Sequence, residues 1–329
     1  MTTPPRPTRH LPADAAGIAE AARVLRDGGL VALPTETVYG LACDATDPRA
    51  VASLYAAKGR PSFNPLIAHV PDVAAARRVG HLTPAAEALA ARFWPGPLTL
   101  VVPAIPEATS ELARAGLTSV AIRVPAHPVA QAVLRAAGRP IAAPSANRSG
   151  HVSPTSADHV MADLDGRIDL VLDAGASRVG VESTILDCTG DVPVMLRPGG
   201  LAREAIEEAL GAPLAARAPV AEDEDAPLAP GMLASHYAPN ARVRLDAGDV
   251  RPGEALLTFA GARPPGSEGA VAVADLSPSG DLTEAAASLF ALLRVLDASG
   301  AAGIAVVTLP GHGLGEAIAD RLRRAAAPR

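Results

Sequence analysis

Residues 54–69 read LYAAKGRPSFNPLIAH, and a helix end, a stiff loop and a strand meet within them. The helix covers roughly 48 to 57, with Pro48 near its first turn and Lys58-Gly59 at its end. Pro61 and Pro65 restrict the loop that carries Ser62 and Asn64, and PLIAHV (65–70) continues as a strand. Lys58 is the only lysine in the chain; every other basic side chain among the 29 is arginine. Two cations on a stiff loop suit a phosphate chain, lysine as a compact point charge and arginine as a bidentate fork. The plain alternatives are a chance surviving surface lysine and, for His69, a structural histidine.

Outward from this stretch, helices and strands alternate. Upstream, PADAAGIAEAARVLRDGG predicts a helix with Asp14 as N-cap, a stripe of Ile18, Ala22 and Leu25, and a stop at Gly28-Gly29. LVALP follows as a short buried strand. Downstream come helical stretches near 72–79 and 84–93, then strand candidates PLTLVVP, SVAIRVP, PIAAP, DLVLDAG and ESTILDC, with a helix at 126–137. The rhythm is not a clean βαβ repeat, so a mixed α/β sheet with flanking helices fits better than a doubly wound one. After Gly211 a Pro/Ala-rich stretch with an acidic run from Glu222 to Asp225 predicts a solvated linker. A shorter α/β pattern then runs through EALLTF, GAVAVA, a helix from Leu282 to Asp297, GIAVVTLP and a terminal helix through Arg324. The expected domains are 14–211, a linker or lid at 212–241, and 242–329.

At 329 residues the chain can bury a substantial core. Aromatic residues make up only 2% of it, so packing must come from Leu, Val, Ile and Ala. No run of about 18 apolar residues predicts a membrane span. The start lacks an apolar signal core, which points to the cytoplasm. Cys43 and Cys188 are too few for a disulfide framework or a zinc quartet. A net charge of −6 argues against a dominant nucleic-acid surface but not against a local basic pocket.

Several loops carry polar groups to strand or helix ends. If PTETVYGL (34–41) is extended, Thr35, Thr37 and Tyr39 share one face and Glu36 and Val38 the other. TSVAIRVP (118–125) alternates, with Ser119, Ala121 and Arg123 on one side, so Arg123 can reach a carboxylate or phosphate in a cleft. APSANRSGHVSPT (143–155) is a tight loop whose backbone N–H groups can converge on an anion, with Ser145, Asn147, Ser149 and Ser153 alongside. GVESTILD (180–187) and LRPGG (196–200) add Ser183 and Arg197. There is no Walker A loop, HExxH, Ser-His-Asp set or paired-carboxylate signature. Together the loops predict a cleft for a polyanion and a small polar molecule, with chemistry done by charge and positioning.

Seven segments in this order, PTETVYGL, KGRPSFNPLIAHV, WPGPLTLV, VAIRVPAHP, APSANRSG, ESTILD and LRPGG, resemble the YrdC-type L-threonylcarbamoyladenylate synthases. PGMLASHYAP and the C-terminal region resemble the longer, two-domain form, whose second domain is a smaller Rossmann-like α/β unit. The resemblance implies a nucleotidyltransferase that makes threonylcarbamoyl-AMP and pyrophosphate from L-threonine, bicarbonate and ATP. The product serves threonylcarbamoylation of the tRNA adenosine beside the anticodon, with partner proteins making the transfer and at most weak RNA contact by this chain. Carried onto this sequence, it implies threonine near Thr37, His69, Arg123, Ala143 and Ser183. It places ATP near Arg60, Asn64, Ser119, Ser145, Ser153, Arg197 and Tyr237. Lys58 and Arg60 would act on the phosphates, with Mg²⁺ accompanying ATP and no protein metal ligand to name. One departure is Leu233, Ala234 and Ser235, where the family linker has basic residues before the His236-Tyr237 pair. A non-catalytic RNA- or nucleotide-binding protein on the same scaffold is the competing reading. Carbamoyl transfer of the hydrogenase-maturation kind lacks the accompanying acylphosphatase-like region and zinc-finger cysteines.

Overall fold

The computed structural model describes residues 7–215 and 237–328. In chain order its first elements are β1 (Arg9–Pro12), α1 (Ala15–Arg26), β2 (Val31–Leu33), β3 (Gly40–Asp44) and α2 (Pro48–Lys58). Next come β4 (Ile67–His69), α3 (Val73–Ala76), α4 (Pro84–Phe93), β5 (Leu98–Pro103), β6 (Ser119–Arg123) and α5 (Pro128–Ala137). The first sheet ends with β7 (Ile141–Ala142), α6 (Ala157–Leu164), β8 (Leu170–Asp173), β9 (Thr184–Asp187), β10 (Val194–Arg197) and α7 (Arg203–Leu210). The second unit holds β11 (Arg242–Arg244), β12 (Glu254–Thr258), β13 (Val273–Asp275), α8 (Leu282–Asp297), β14 (Gly303–Val306) and α9 (Leu314–Ala326).

Local chemistry explains the helix limits. The Asp14 carboxylate accepts the Gly17 N–H at 2.8 Å and starts α1, as its N-cap position predicts. Asp47 caps α2 in the same way with Pro48 in the first turn, and Gly59 ends it in the left-handed conformation at φ 59°.

The ten-stranded sheet runs β1-β8-β2-β3-β7-β4-β6-β5-β9-β10 and mixes parallel and antiparallel pairs. The smaller sheet, β11-β14-β12-β13, is wholly parallel. This is the expected mixed sheet plus a smaller α/β domain. In the β4-to-β10 half, Ala68, Leu100, Ile122 and Leu186 point into a core shared with α4 and α7. The opposite face carries only Ile67, Val101, Ala121, Ile185 and Leu196 as an apolar floor. Period-two alternation therefore divides this half-sheet into a core face and a second face with a narrow apolar floor.

The second unit comes close to that second face. Its core cluster takes in Val38, Val152, Val181 and Tyr237 alongside Phe290, Leu289 and Ile318. Gly180 lies so near α8 that a Cβ there would fall 2.2 Å from the Ala286 carbonyl oxygen. Arg203 pairs with Glu316 at 2.6 Å, and Arg294 with Asp163 at 2.9 Å. Among the described residues no helix is long and apolar enough to cross a membrane. The acidic run, Leu233 to His236 and most of the expected linker lie outside the described residues.

Candidate active site

A cavity opens at one end of that second face. Nine of the predicted positions line it: Thr37, Arg60, His69, Arg123, Ala143, Ser145, Ser183, Arg197 and Tyr237. Val38, Ile67, Pro144 and Glu182 complete the lining. The strands aim these side chains. Ile67 and His69 alternate onto the cavity face of β4, and His69 lies in register with Arg123 of β6. Ser183 precedes β9 on the face of Ile185, and its hydroxyl meets that of Thr99 at 2.8 Å. Strict alternation would turn Arg197 to the same side as Met195, which faces the core. A register shift between Met195 and Arg197 brings it to the cavity instead. Its guanidinium donates to the Ser183 carbonyl at 2.9 Å.

Lys58 corrects the expectation of a phosphate contact. It is buried and lies outside the cavity lining, and Nζ donates to the carbonyl oxygens of Ser145 and Asn147, each at 2.5 Å. The Lys58 carbonyl in turn accepts the Ser149 N–H at 2.9 Å. The lysine thus clamps the 143–155 loop to the end of α2, and Ser145 on that loop reaches the cavity. Burial, with the neighbouring Arg60 charge, pushes its pKa well below the ordinary lysine value. Arg60, two residues on, does line the cavity; burial lowers its pKa to about 10.

The segment 34–39 is also corrected. It is bent, not extended: the Thr35 hydroxyl donates to the Val38 carbonyl at 2.5 Å and receives the N–H groups of Thr37 and Val38. The short polar side chain competes successfully with strand pairing. Thr37 and Val38 reach the cavity, whereas Tyr39 is buried with its hydroxyl on the Gly175 carbonyl. Asn64, Ser119 and Ser153 lie outside the lining. Asn64 is almost fully buried beside Arg60, and neither polar atom of its amide has a hydrogen-bond partner among the described residues. Ser119 opens β6, at the far end of the strand from Arg123. Ser153 donates to the Glu182 carboxylate at 2.5 Å.

Three charged residues escaped the sequence reading. Glu36 accepts from Arg123 at 2.7 Å, both side chains being buried. Burial raises its pKa, but the Arg123 charge and hydrogen bond outweigh that and hold it below the usual carboxylate value. Glu182 accepts from Arg321 of α9 at 2.7 Å. Burial opposes its ionisation too, yet the charges of Arg321 and Arg197 bring its pKa down to about 2. A signal for Arg321 exists in the sequence: it occupies the buried stripe of α9, beside Ala317, Ile318, Leu322 and Ala325. His69 is held neutral, its pKa pushed down to about 3 by burial and then by Arg123, and its ring Nδ1 lies 3.1 Å from the Ile67 carbonyl oxygen. The cavity wall thus presents Arg60, Arg123 and Arg197 against one lining carboxylate, an environment suited to a polyanion.

Two family models match successive parts of the chain. The Sua5/YciO/YrdC family model, described as telomere recombination, matches residues 23–199. The model for the C-terminal domain of threonylcarbamoyl-AMP synthase matches 201–327. A threonylcarbamoyl-AMP synthase of Bacillus subtilis is 44% identical, covering 95% of this chain and 93% of its own. One from Pyrococcus abyssi is also 44% identical, over 93% and 92%. The crystal structure of P. abyssi Sua5 complexed with L-threonine superposes with a TM-score of 0.87 at 39% identity, covering 97% of both chains. Escherichia coli YciO, at 22% identity and a TM-score of 0.52, covers 60% of this chain and 96% of its own and shares the fold.

Proposed function

The chain belongs to the Sua5/YciO/YrdC family in its two-domain Sua5 form, and on that premise we propose how its cavity works. The protein is a threonylcarbamoyl-AMP synthase: it joins L-threonine, bicarbonate and ATP into threonylcarbamoyl-AMP and pyrophosphate. In class terms it is a nucleotidyltransferase. The observation that carries this reading is the convergence of nine predicted polar and small positions, three of them arginines, on one cavity.

Threonine binds toward Thr37, His69, Arg123, Ala143 and Ser183. Arg123 spends Nη2 on Glu36 and Nε on the Gly96 carbonyl, which holds the guanidinium plane still for the substrate carboxylate. Neutral His69 adds no competing positive charge. The threonine amine attacks the bicarbonate carbon, water leaves, and the resulting carbamate oxygen attacks the α-phosphorus of ATP as pyrophosphate departs. Arg60 and Arg197, which line the cavity together with Ser145 and Tyr237, offset charge on the phosphates. The resemblance implies Asn64, Ser119 and Ser153 on the nucleotide side as well, but none of the three lines the cavity. Lys58 acts one step back, by holding the loop that presents Ser145.

Mg²⁺ would arrive on ATP's own phosphate oxygens. The described residues contain no group of three or more His, Cys, Asp or Glu side chains able to hold a metal, and no step here is routed through one. The product supplies threonylcarbamoyl for the tRNA adenosine beside the anticodon, in the cytoplasm, through partner proteins that complete the transfer. Pyrophosphate release from ATP that needs both threonine and bicarbonate is the test; release independent of either substrate would reject the reading.

A further inference from the structure

The second unit lies close to the cavity, yet no residue of it from β11 to α9 belongs to the lining. One side chain of that domain nevertheless touches two lining residues. Arg321 of α9 is fully buried. Its Nε donates to the Glu182 carboxylate at 2.7 Å, and its guanidinium carbon stands 5.2 Å from the Tyr237 ring centroid. Glu182 passes the constraint on: its other oxygen takes the Ser153 hydroxyl, and the adjoining Ser183 carbonyl is where Arg197 docks. Tyr237 holds a left-handed backbone at φ 62° and stacks on Phe290 of α8 with centroids 5.5 Å apart. A non-glycine residue keeps that conformation only where its surroundings over-determine it.

We propose that Arg321 is a positioning residue for the nucleotide half of the site, fixing Glu182 and Tyr237 so that Arg197 and the Ser145 side meet the ATP phosphates. The second domain is on this account part of the ATP site and not an appended module. The proposal rests on the synthase reading given above. The electrostatics agree, because the charges of Arg321 and Arg197 keep Glu182 ionised and so available to the Arg321 hydrogen bond. On the threonine side, Arg123 is held by Glu36 and Gly96 within the first domain, so it does not depend on Arg321.

The test compares Arg321→Gln, Arg321→Lys and Arg203→Ala in the full chain. Arg203 serves as control because its pair with Glu316 joins the same two domains away from the cavity lining. ATP and threonine affinities are measured separately by titration calorimetry, with Tm recorded for each variant. The expected result for Arg321→Gln is ATP binding weakened about tenfold or more, with threonine binding within about twofold of wild type. Arg321→Lys should fall between, keeping the charge without the fork or the guanidinium placed over the Tyr237 ring. Arg203→Ala should leave ATP binding unchanged whatever it does to Tm. Equal ATP losses in Arg321→Gln and Arg203→Ala, or no loss in the former, would overturn the proposal. If Arg321→Gln does not fold, Arg321→Lys decides, and wild-type ATP affinity there overturns it. A wild-type protein that binds ATP but makes no threonylcarbamoyl-AMP would sink the functional reading instead, and the calorimetry would still decide the role of Arg321.

Discussion

Lys58 is the single ammonium among guanidinium cations, and its seat between two carbonyl oxygens 2.5 Å away gives a physical reason. A guanidinium is planar and wider, and it cannot enter a seat sized for one nitrogen without pushing the loop outward. Lys58→Arg should therefore lower kcat/KM for ATP about tenfold, or about 1.4 kcal/mol, through displaced Ser145. Wild-type kinetics in that variant would remove the explanation. His69 makes a different prediction. Its folded pKa of about 3 lies below the unfolded value of about 6.5. Between those values the unfolded chain takes up a proton that the folded chain refuses, so stability falls as pH drops through that window. The slope is at most about 1.4 kcal/mol per pH unit. Glu182, ionised down to about pH 2, adds a loss of the same sign lower in the acid range. His69→Gln should flatten the fall of Tm with acid between about pH 6 and pH 4; an unchanged slope would mean that His69 does not titrate as described.

The turn after β10 has no room for a single added methyl. A Cβ on Gly199 would lie 2.3 Å from the Glu182 carbonyl oxygen and 2.4 Å from the Thr184 nitrogen, so backbone must give way. Gly199→Ala should cost about 1–3 kcal/mol of stability and raise the ATP KM, since the same backbone carries Ser183 and Glu182. Gly190→Ala, with nothing within 4 Å of its Cβ, should do neither. Calorimetric melting and steady-state kinetics on the pair would decide this. Elements with a strong local pattern were legible from sequence: α2 between Pro48 and Gly59, α8 at Leu282–Asp297, and the alternation of β6 that puts Arg123 on the cavity side. Others were hidden by physics that sequence windows do not contain. β1 is a short exposed edge strand, RHLP, with no apolar alternation. β10 ends in a register shift before Pro198, and the segment 34–39 forms a hydroxyl-stabilised turn where extension was expected. Of the site, the polar loop residues were readable, but their carboxylate partners were not. The contacts that make Glu36 and Glu182 matter come from Arg123 and Arg321, 87 and 139 residues away.

Across the molecule, a half-sheet turns one face toward a helical core and its other face toward the cavity, and a second domain lies close to that face. The first domain supplies the arginines and the serine and threonine hydroxyls of the cavity lining. The second braces them through Arg321 and through the Phe290 stack on Tyr237. Such an arrangement suits a reaction that must gather three small substrates and contain phosphate charge, without a covalent enzyme intermediate. On the proposed reading, one cavity assembles threonine, bicarbonate and ATP into a mixed anhydride. The most direct measurement is mass spectrometry of the products formed by the full chain from L-threonine, ATP and carbon-13 bicarbonate. The expected products are threonylcarbamoyl-AMP carrying the heavy carbon and pyrophosphate in equal amount, with the adenylate lost when any one substrate is withheld. ATP consumption with no labelled adenylate, or an adenylate that forms without bicarbonate, would contradict it.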